Sequence, residues 1–188
     1  MKTKNILLSS ILLLLLSACG GASSYYVLSL APQPQQTYQN KAMVIGVEKV
    51  TVPAYLYKRE IAVATSSSQI NFLSNATWGE DLDTGLTNRL MGFLQKKFNQ
   101  PNVFIYPWGL DKQPNIVVSV QVTRFIAQGG RVYLDATWNL KNLKTHKEKA
   151  QLFSTSIATS SDAKSIVSAM DKAFGVFEEK VSQGILHF

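Results

Sequence analysis

Two histidines, two adjacent acidic pairs, runs of serine and a single cysteine are the side chains through which this 188-residue chain could do chemistry. Their spacing argues against catalysis. His146 sits in a charged stretch and His187 is the penultimate residue, so each reads as a solvated side chain. A metal site would need two or three further ligands close by, and the sequence brings none together. Glu80 with Asp81, and Glu178 with Glu179, are chain neighbours. On a helix such neighbours point about 100° apart, so neither pair converges on one substrate atom, and both read as solvated helix surface. Thr65 to Ser68 and Ser154 to Ser161 lack a base or a nucleophile elbow, and Gly129-Gly130 lacks the pattern of a phosphate loop. The chain therefore reads as a non-enzyme, with no catalytic and no metal-binding residues. Cys19 is the only cysteine, which excludes an intrachain disulfide and a cysteine-based metal site.

What remains for Cys19 is modification of its own thiol, and its setting suits that. Lys2 and Lys4 precede an apolar run from Ile6 to Leu16, followed by small residues, the three parts of an export signal over residues 1–18. The run is about half of the ~20 residues that cross a bilayer as a helix, so a spanning segment is not expected. Leu16-Ser17-Ala18-Cys19 resembles the lipobox of bacterial lipoproteins. That resemblance implies a diacylglyceryl thioether and an N-acyl group on Cys19 and no other cofactor. Several acyl chains on one residue anchor stably, since each buried methylene adds ~0.8 kcal/mol. Gly20 follows, where Asp would be the usual retention signal, so the resemblance places the protein at the outer membrane with its domain in the periplasm. Residues 19–24 form a lipidated tether, and Gly20 to Ser24 reach only ~17 Å when extended.

The elements behind these residues follow from periodicity. With 46% hydrophobic and 16% charged residues, the mature part, 25–188, is expected to fold as one packed domain. Strands are expected at Tyr25 to Leu30 and Met43 to Val50, the second closed by Pro53, which has no amide hydrogen to donate. Glu60 to Ala64 and Gln69 to Leu73 read as a hairpin. The period then changes: Leu82, Leu86, Leu90, Phe93, Leu94 and Phe98 share one face of a helix spanning Trp78 to Phe98. Thr77 with Glu80 reads as its capping box, with Lys96 and Lys97 at the negative end of the dipole. Val103 to Tyr106 reads as a short strand.

Two long alternating strands, Ile116 to Ile126 and Val132 to Leu140, are joined by a tight turn at Gly129-Gly130, and Ala150 to Thr159 adds a third to the meander. A last helix carries Ile166, Met170, Ala173, Phe174, Phe177 and Val181 on one face, capped at Ser161 or Asp162 and stopped at Gly184. The expected architecture is α+β: a single domain with a mixed, mostly antiparallel sheet and two main amphipathic helices packed on it.

The formal net charge is +7, two of it from Lys2 and Lys4, and is spread along the chain. It serves solubility first, and a periplasmic address leaves no role for nucleic acid. Lys141, Lys144, His146, Lys147 and Lys149 form one basic cluster, read as an exposed turn that could meet anionic head groups or an acidic protein face.

Three stretches carry a wider resemblance: Tyr25-Tyr26-Val27-Leu28 after the cysteine, VEKVTVPAYLYKREIAV from Val47 to Val63, and TWGEDLDTGLTNRL from Thr77 to Leu90. Together they resemble the ABC-type transport auxiliary lipoproteins, the PqiC group. The group's Pro-x-Tyr-Leu-x-Arg segment is here one residue longer, and Gly79 and Asp81 depart from its helix-start pattern. The resemblance implies an accessory lipoprotein working with a periplasmic MCE-domain protein and inner-membrane transport components on lipids or other apolar molecules, and assembly as a homo-oligomeric ring. Tyr55, Leu56, Tyr57 and Arg59 combine apolar area with a planar donor, as interfaces do, and with Trp78 are the candidate partner-binding residues. The alternative is a lipid carrier or sensor with a cavity lined by Leu90, Trp138, Phe174 and Phe177.

Overall fold

The computed structural model describes residues 23–188 except Ser29 and residues 40–42. The expected signal peptide, Cys19 and most of the expected tether lie outside the described residues. The described chain forms strands β1 (Ser24–Tyr26), β2 (Ile45–Val47), β3 (Glu60–Ala64) and β4 (Ile70–Trp78), then helix α1 (Leu82–Lys97). After it come β5 (Val103–Ile105), β6 (Ile116–Gln128), β7 (Arg131–Asn142), β8 (Glu148–Ala158) and helix α2 (Ala163–Leu186). A short 3-10 turn, Ala54–Tyr57, links β2 to β3.

All eight strands share one mixed sheet, and β6 is its spine. Along one edge β6 pairs with β7, and β7 with β8, as the expected antiparallel meander. The other edge of β6 is divided end to end. At its start β2 runs parallel to it, with β5 parallel to β2 outside. At its end β3 runs parallel to it, followed by antiparallel β4 and then β1, parallel to β4. Gly129 and Gly130 turn the β6–β7 hairpin at φ 55° and 77°, the left-handed conformation that glycine adopts without a Cβ penalty.

α2 lies over β7 and β8, and α1 lies beside it against β5 and β2. The stripes read from periodicity are the buried ones: Leu82, Leu86, Leu90, Phe93 and Leu94 on α1, and Ile166, Met170, Phe174, Phe177 and Val181 on α2. Alternation holds on β7, where Val132, Leu134, Ala136, Trp138 and Leu140 are buried. On β6 it holds only to Val122. A bulge between Val122 and Arg124 adds a residue and reverses the phase, so Phe125 and Ala127 now face the core.

Several boundaries differ from expectation, each because a distant partner outweighs a local signal. Thr77 lies inside β4, paired with Tyr25 and Glu60, so it caps nothing. α1 begins at Leu82 with Asp81 as N-cap and without a side-chain capping bond. β4 runs on to Trp78 because β1 pairs with its last three residues. The strand expected from Tyr25 to Leu30 is cut to Ser24–Tyr26, and that expected from Met43 to Val50 to Ile45–Val47. Gly184 does not stop α2, which continues to Leu186.

The α2 start is as expected: the Asp162 carboxylate accepts the Ser165 amide at 2.9 Å. Hydrogen bonding from Ser165 holds the Asp162 carboxyl below the ordinary aspartate value, so its contribution is present above that value and lost as pH falls through the lowered one. Asp162→Ala is expected to lower the thermal midpoint at neutral pH and to converge with wild type in strong acid, as circular dichroism melts would read.

Candidate functional site

The docking candidates lie where the chain leaves β6 after Thr51 and returns as β3. Pro53 opens the 3-10 turn, and its carbonyl accepts the Leu56 amide at 2.9 Å. The turn sorts the candidate side chains. Leu56 and Trp78 are buried in the core, Tyr55 is half-buried, and Tyr57 and Arg59 face solvent. The Tyr55 hydroxyl accepts the Phe125 amide at 3.5 Å beside the β6 bulge, and burial pushes its pKa up. Its ring lines an open cleft of about 430 Å³ shared with Ile70, Arg124 and Ile126. Arg59 donates to the Trp78 carbonyl at 3.1 Å, while the Trp78 amide donates to the Arg59 carbonyl at 2.7 Å. The surface of this shelf is therefore Tyr57, Arg59 and one edge of Tyr55, supported from beneath by Leu56 and Trp78.

The two longer sequence stretches that carry the resemblance meet here in space. The Val50 amide donates to the Thr87 hydroxyl at 2.9 Å in the core, and that hydroxyl donates to the Asp83 carbonyl at 2.6 Å. Lys49 pairs with the buried Asp83 carboxylate at 2.7 Å. Together with Arg59 and Trp78, these contacts join the strand-to-turn segment to the first turns of α1.

A second polar cluster corrects the sequence reading of the acidic pair on α2. Glu178 is fully buried, and Glu179 is mostly covered and pairs with Lys97 at 2.7 Å. Facing Glu178 is Arg89 of α1, itself buried, whose guanidinium lies 5.7 Å above the Phe174 ring. Arg89 spends its two terminal nitrogens on Asp171, one on the carboxylate and one on the carbonyl. Glu178 receives only the Nε–H, shared between its two oxygens at 3.2 Å each. One shared donor compensates poorly for removal from water. Burial pushes the Glu178 carboxyl up to about 8, with Arg89 pulling the other way. A signal was present in the sequence: Glu178 falls four residues after Phe174, within the apolar stripe, and Arg89 three after Leu86.

The basic cluster is an ordered turn between β7 and β8. Asn142 Oδ1 accepts the amides of Lys144 and Thr145, and His146 takes a positive φ of 58°. Lys141 pairs with Glu148 at 2.8 Å, and Lys147 donates to the Phe188 carbonyl at 2.9 Å. His146 and His187 are both exposed. Among the described residues, no three His, Cys, Asp or Glu side chains gather as a metal site, and no helix is long and apolar enough to cross a membrane. Leu90, Trp138, Phe174 and Phe177, the lining expected of a lipid cavity, are each fully buried, with the two phenylalanine rings 5.4 Å apart.

No curated protein matches the sequence. Among solved structures, an uncharacterized protein is similar at a TM-score of 0.70 and 23% identity, over 88% of this chain and 99% of its own. Protein XCC0632 from Xanthomonas campestris, of family DUF330, is similar at a TM-score of 0.65 and 13% identity, over 84% and 92% respectively. At these identities the likeness is one of fold. A family model matches residues 26–182, nearly the whole described domain, and the chain belongs to the family of the ABC-type transport auxiliary lipoprotein component.

Proposed function

We propose that this chain is a non-catalytic outer-membrane lipoprotein, anchored through acyl groups on Cys19. It docks or receives a periplasm-spanning MCE-domain partner of an inner-membrane transporter that moves lipids or other apolar molecules. Membership of a transport auxiliary family supports the accessory role. The observation that carries the docking role is the shelf at Tyr55, Tyr57 and Arg59, where a tyrosine and an arginine stand in solvent on a rigid turn tied to the core through Leu56 and Trp78. Such residues lose little conformational freedom when a partner covers them. A homo-oligomeric ring belongs to the same reading, with the shelf available to either kind of neighbour. The carrier alternative is not favoured, because the side chains that would line its cavity fill the space between sheet and helices.

The test is affinity capture of the lipidated protein from membranes, with mass spectrometry of what accompanies it. An MCE-domain protein is expected with wild type and is expected to be lost from the Tyr57→Ala/Arg59→Ala variant, while Cys19→Ala should move the protein itself to the soluble fraction. Wild type recovered with bound lipid and no protein partner would overturn the docking role. Full recovery of the partner with the double variant would remove the shelf from it.

A further inference from the structure

The direction of β1 says which end of the domain meets the membrane, given the proposed anchor at Cys19. β1 runs parallel to β4, with Ser24 opposite Ala76 and Tyr26 opposite Trp78. The start of β1 therefore points toward the end of β4 that carries Ile70 and Phe72. β4 is antiparallel to β3, and β3 is parallel to β6 with Val63 opposite Ala127. The start of β1 thus points to the pole where β6 ends, not the one where it begins.

Three loops converge at that pole: the β3–β4 turn from Thr65 to Gln69, the Gly129-Gly130 turn, and the segment Thr159 to Ser161. The last two border one cleft of about 220 Å³ with Ala64 and Leu73. None of these loop residues is charged. Nearby stand two large apolar side chains open in part to water, Ile70 (37% exposed) and Phe72 (42%) on β4. The opposite pole holds the ordered turn with Lys144, His146 and Lys147, because Asn142 pairs with Ile116 at the start of β6. Thirteen residues of β6 separate the poles, about 40 Å at ~3.3 Å per residue.

We infer that the β3–β4 end of the domain rests on the bilayer that holds its own anchor. Ile70 and Phe72 sit in the interfacial layer, and the basic β7–β8 turn points away from that membrane. The occupant of this apolar surface follows from the tether. Ser24 is five positions after Cys19, a reach of at most ~17 Å, so the near pole cannot lift far from the lipid, whereas the basic turn cannot reach it in this orientation. Loops without charged residues around Ile70 and Phe72, flanked only by Arg131 and Asp162 among the residues next to the loops, suit the head-group boundary.

Cys19 is the only cysteine, and lipidation occupies its thiol, so a second cysteine introduced at a chosen site is labelled alone. Intact-mass measurement of the mature protein first reports whether Cys19 is acylated; its absence would overturn the anchor and this inference with it. The acylated Ser67→Cys and Thr145→Cys proteins, each carrying a fluorophore, are then placed in phosphatidylethanolamine–phosphatidylglycerol vesicles containing spin-labelled lipid. Emission at position 67 is expected to be strongly quenched and that at 145 unaffected. Equal quenching at both positions, or stronger quenching at 145, would overturn the orientation while leaving the anchor standing. Adding Ile70→Ser and Phe72→Ser to the position-67 protein is expected to weaken quenching with the anchor and the melting curve retained. Undiminished quenching would overturn the part assigned to these two side chains.

Discussion

Arg89→Ala is expected to destabilise the domain by about 3 kcal/mol or more, as urea titration would measure, whereas Glu178→Gln is expected to cost less than about 1 kcal/mol at mildly acidic pH. Arg89 bridges the helices: it reaches from α1 to the side chain and carbonyl of Asp171 and to Glu178 on α2, and covers the Phe174 ring. Removing it empties a filled site and leaves Glu178 without a donor in the core. Glu178, with its carboxyl pushed up to about 8, is protonated at that pH, and Gln replaces a neutral group of the same shape. An ionised Glu178 would instead make the Gln variant nearly as costly as the Ala variant.

The same burial sets a pH dependence. Between the ordinary glutamate value of 4.5 and about 8, the folded state keeps a proton that the unfolded chain has released. Stability is therefore full below that window and falls as pH rises through it, by an amount on the order of a few kcal/mol. Denaturant titrations from mildly acidic to mildly alkaline pH should show the decline in wild type and its disappearance in Glu178→Gln. A wild-type stability that holds constant across the window would contradict the proton's place on Glu178.

The second large effect is expected at Gly184→Ala. A Cβ there would stand 2.3 Å from Trp138 Cη2 and 2.8 Å from its Cζ3, far inside van der Waals contact. The indole is fully buried and cannot retreat without displacing the helices above it. Overpacking of this kind costs about 1–3 kcal/mol, more than the ~1 kcal/mol that alanine gains over glycine within a helix. Gly175→Ala on the same helix is the control. Its Cβ would lie 3.5 Å from Arg89 Nη2, an ordinary contact, so the helix preference prevails and a slight stabilisation is expected. Thermal melts of the two variants should move in opposite directions.

Gly184 also lies inside α2, not at its end. Glycine near the end of an apolar stripe is a common stop signal, but here its lack of a side chain makes room for Trp138 from β7. Local chemistry contains no information about an indole 46 positions earlier in the chain. Thr77 and Glu80 have the spacing of a capping box, yet the pairing of β4 with β1 keeps Thr77 in the sheet. Glu178 and Glu179, as helix neighbours that diverge, read locally as solvated surface. Helical spacing placed Glu178 in the apolar stripe, and only the position of Arg89 across the interface made its burial tolerable.

By itself, the sequence determined the elements whose cause is local. The 3.6-residue period set which faces of α1 and α2 are apolar, alternation set the three strands of the meander, and paired glycines set the turn between its first two. It also contained the setting of Cys19 and the stretches that resemble the family. Tertiary structure decided what those faces meet. It chose the parallel pairing of β1, β2 and β3, reversed β6 at its bulge, buried Leu56 and Trp78 beneath Tyr57 and Arg59, and set the basic turn at the pole opposite the start of β1. The physical reason is one of range. Backbone dihedrals and amphipathic period are properties of a few neighbouring residues, whereas burial of a charge, strand register and the accessibility of a side chain depend on groups that only folding brings within a few ångströms.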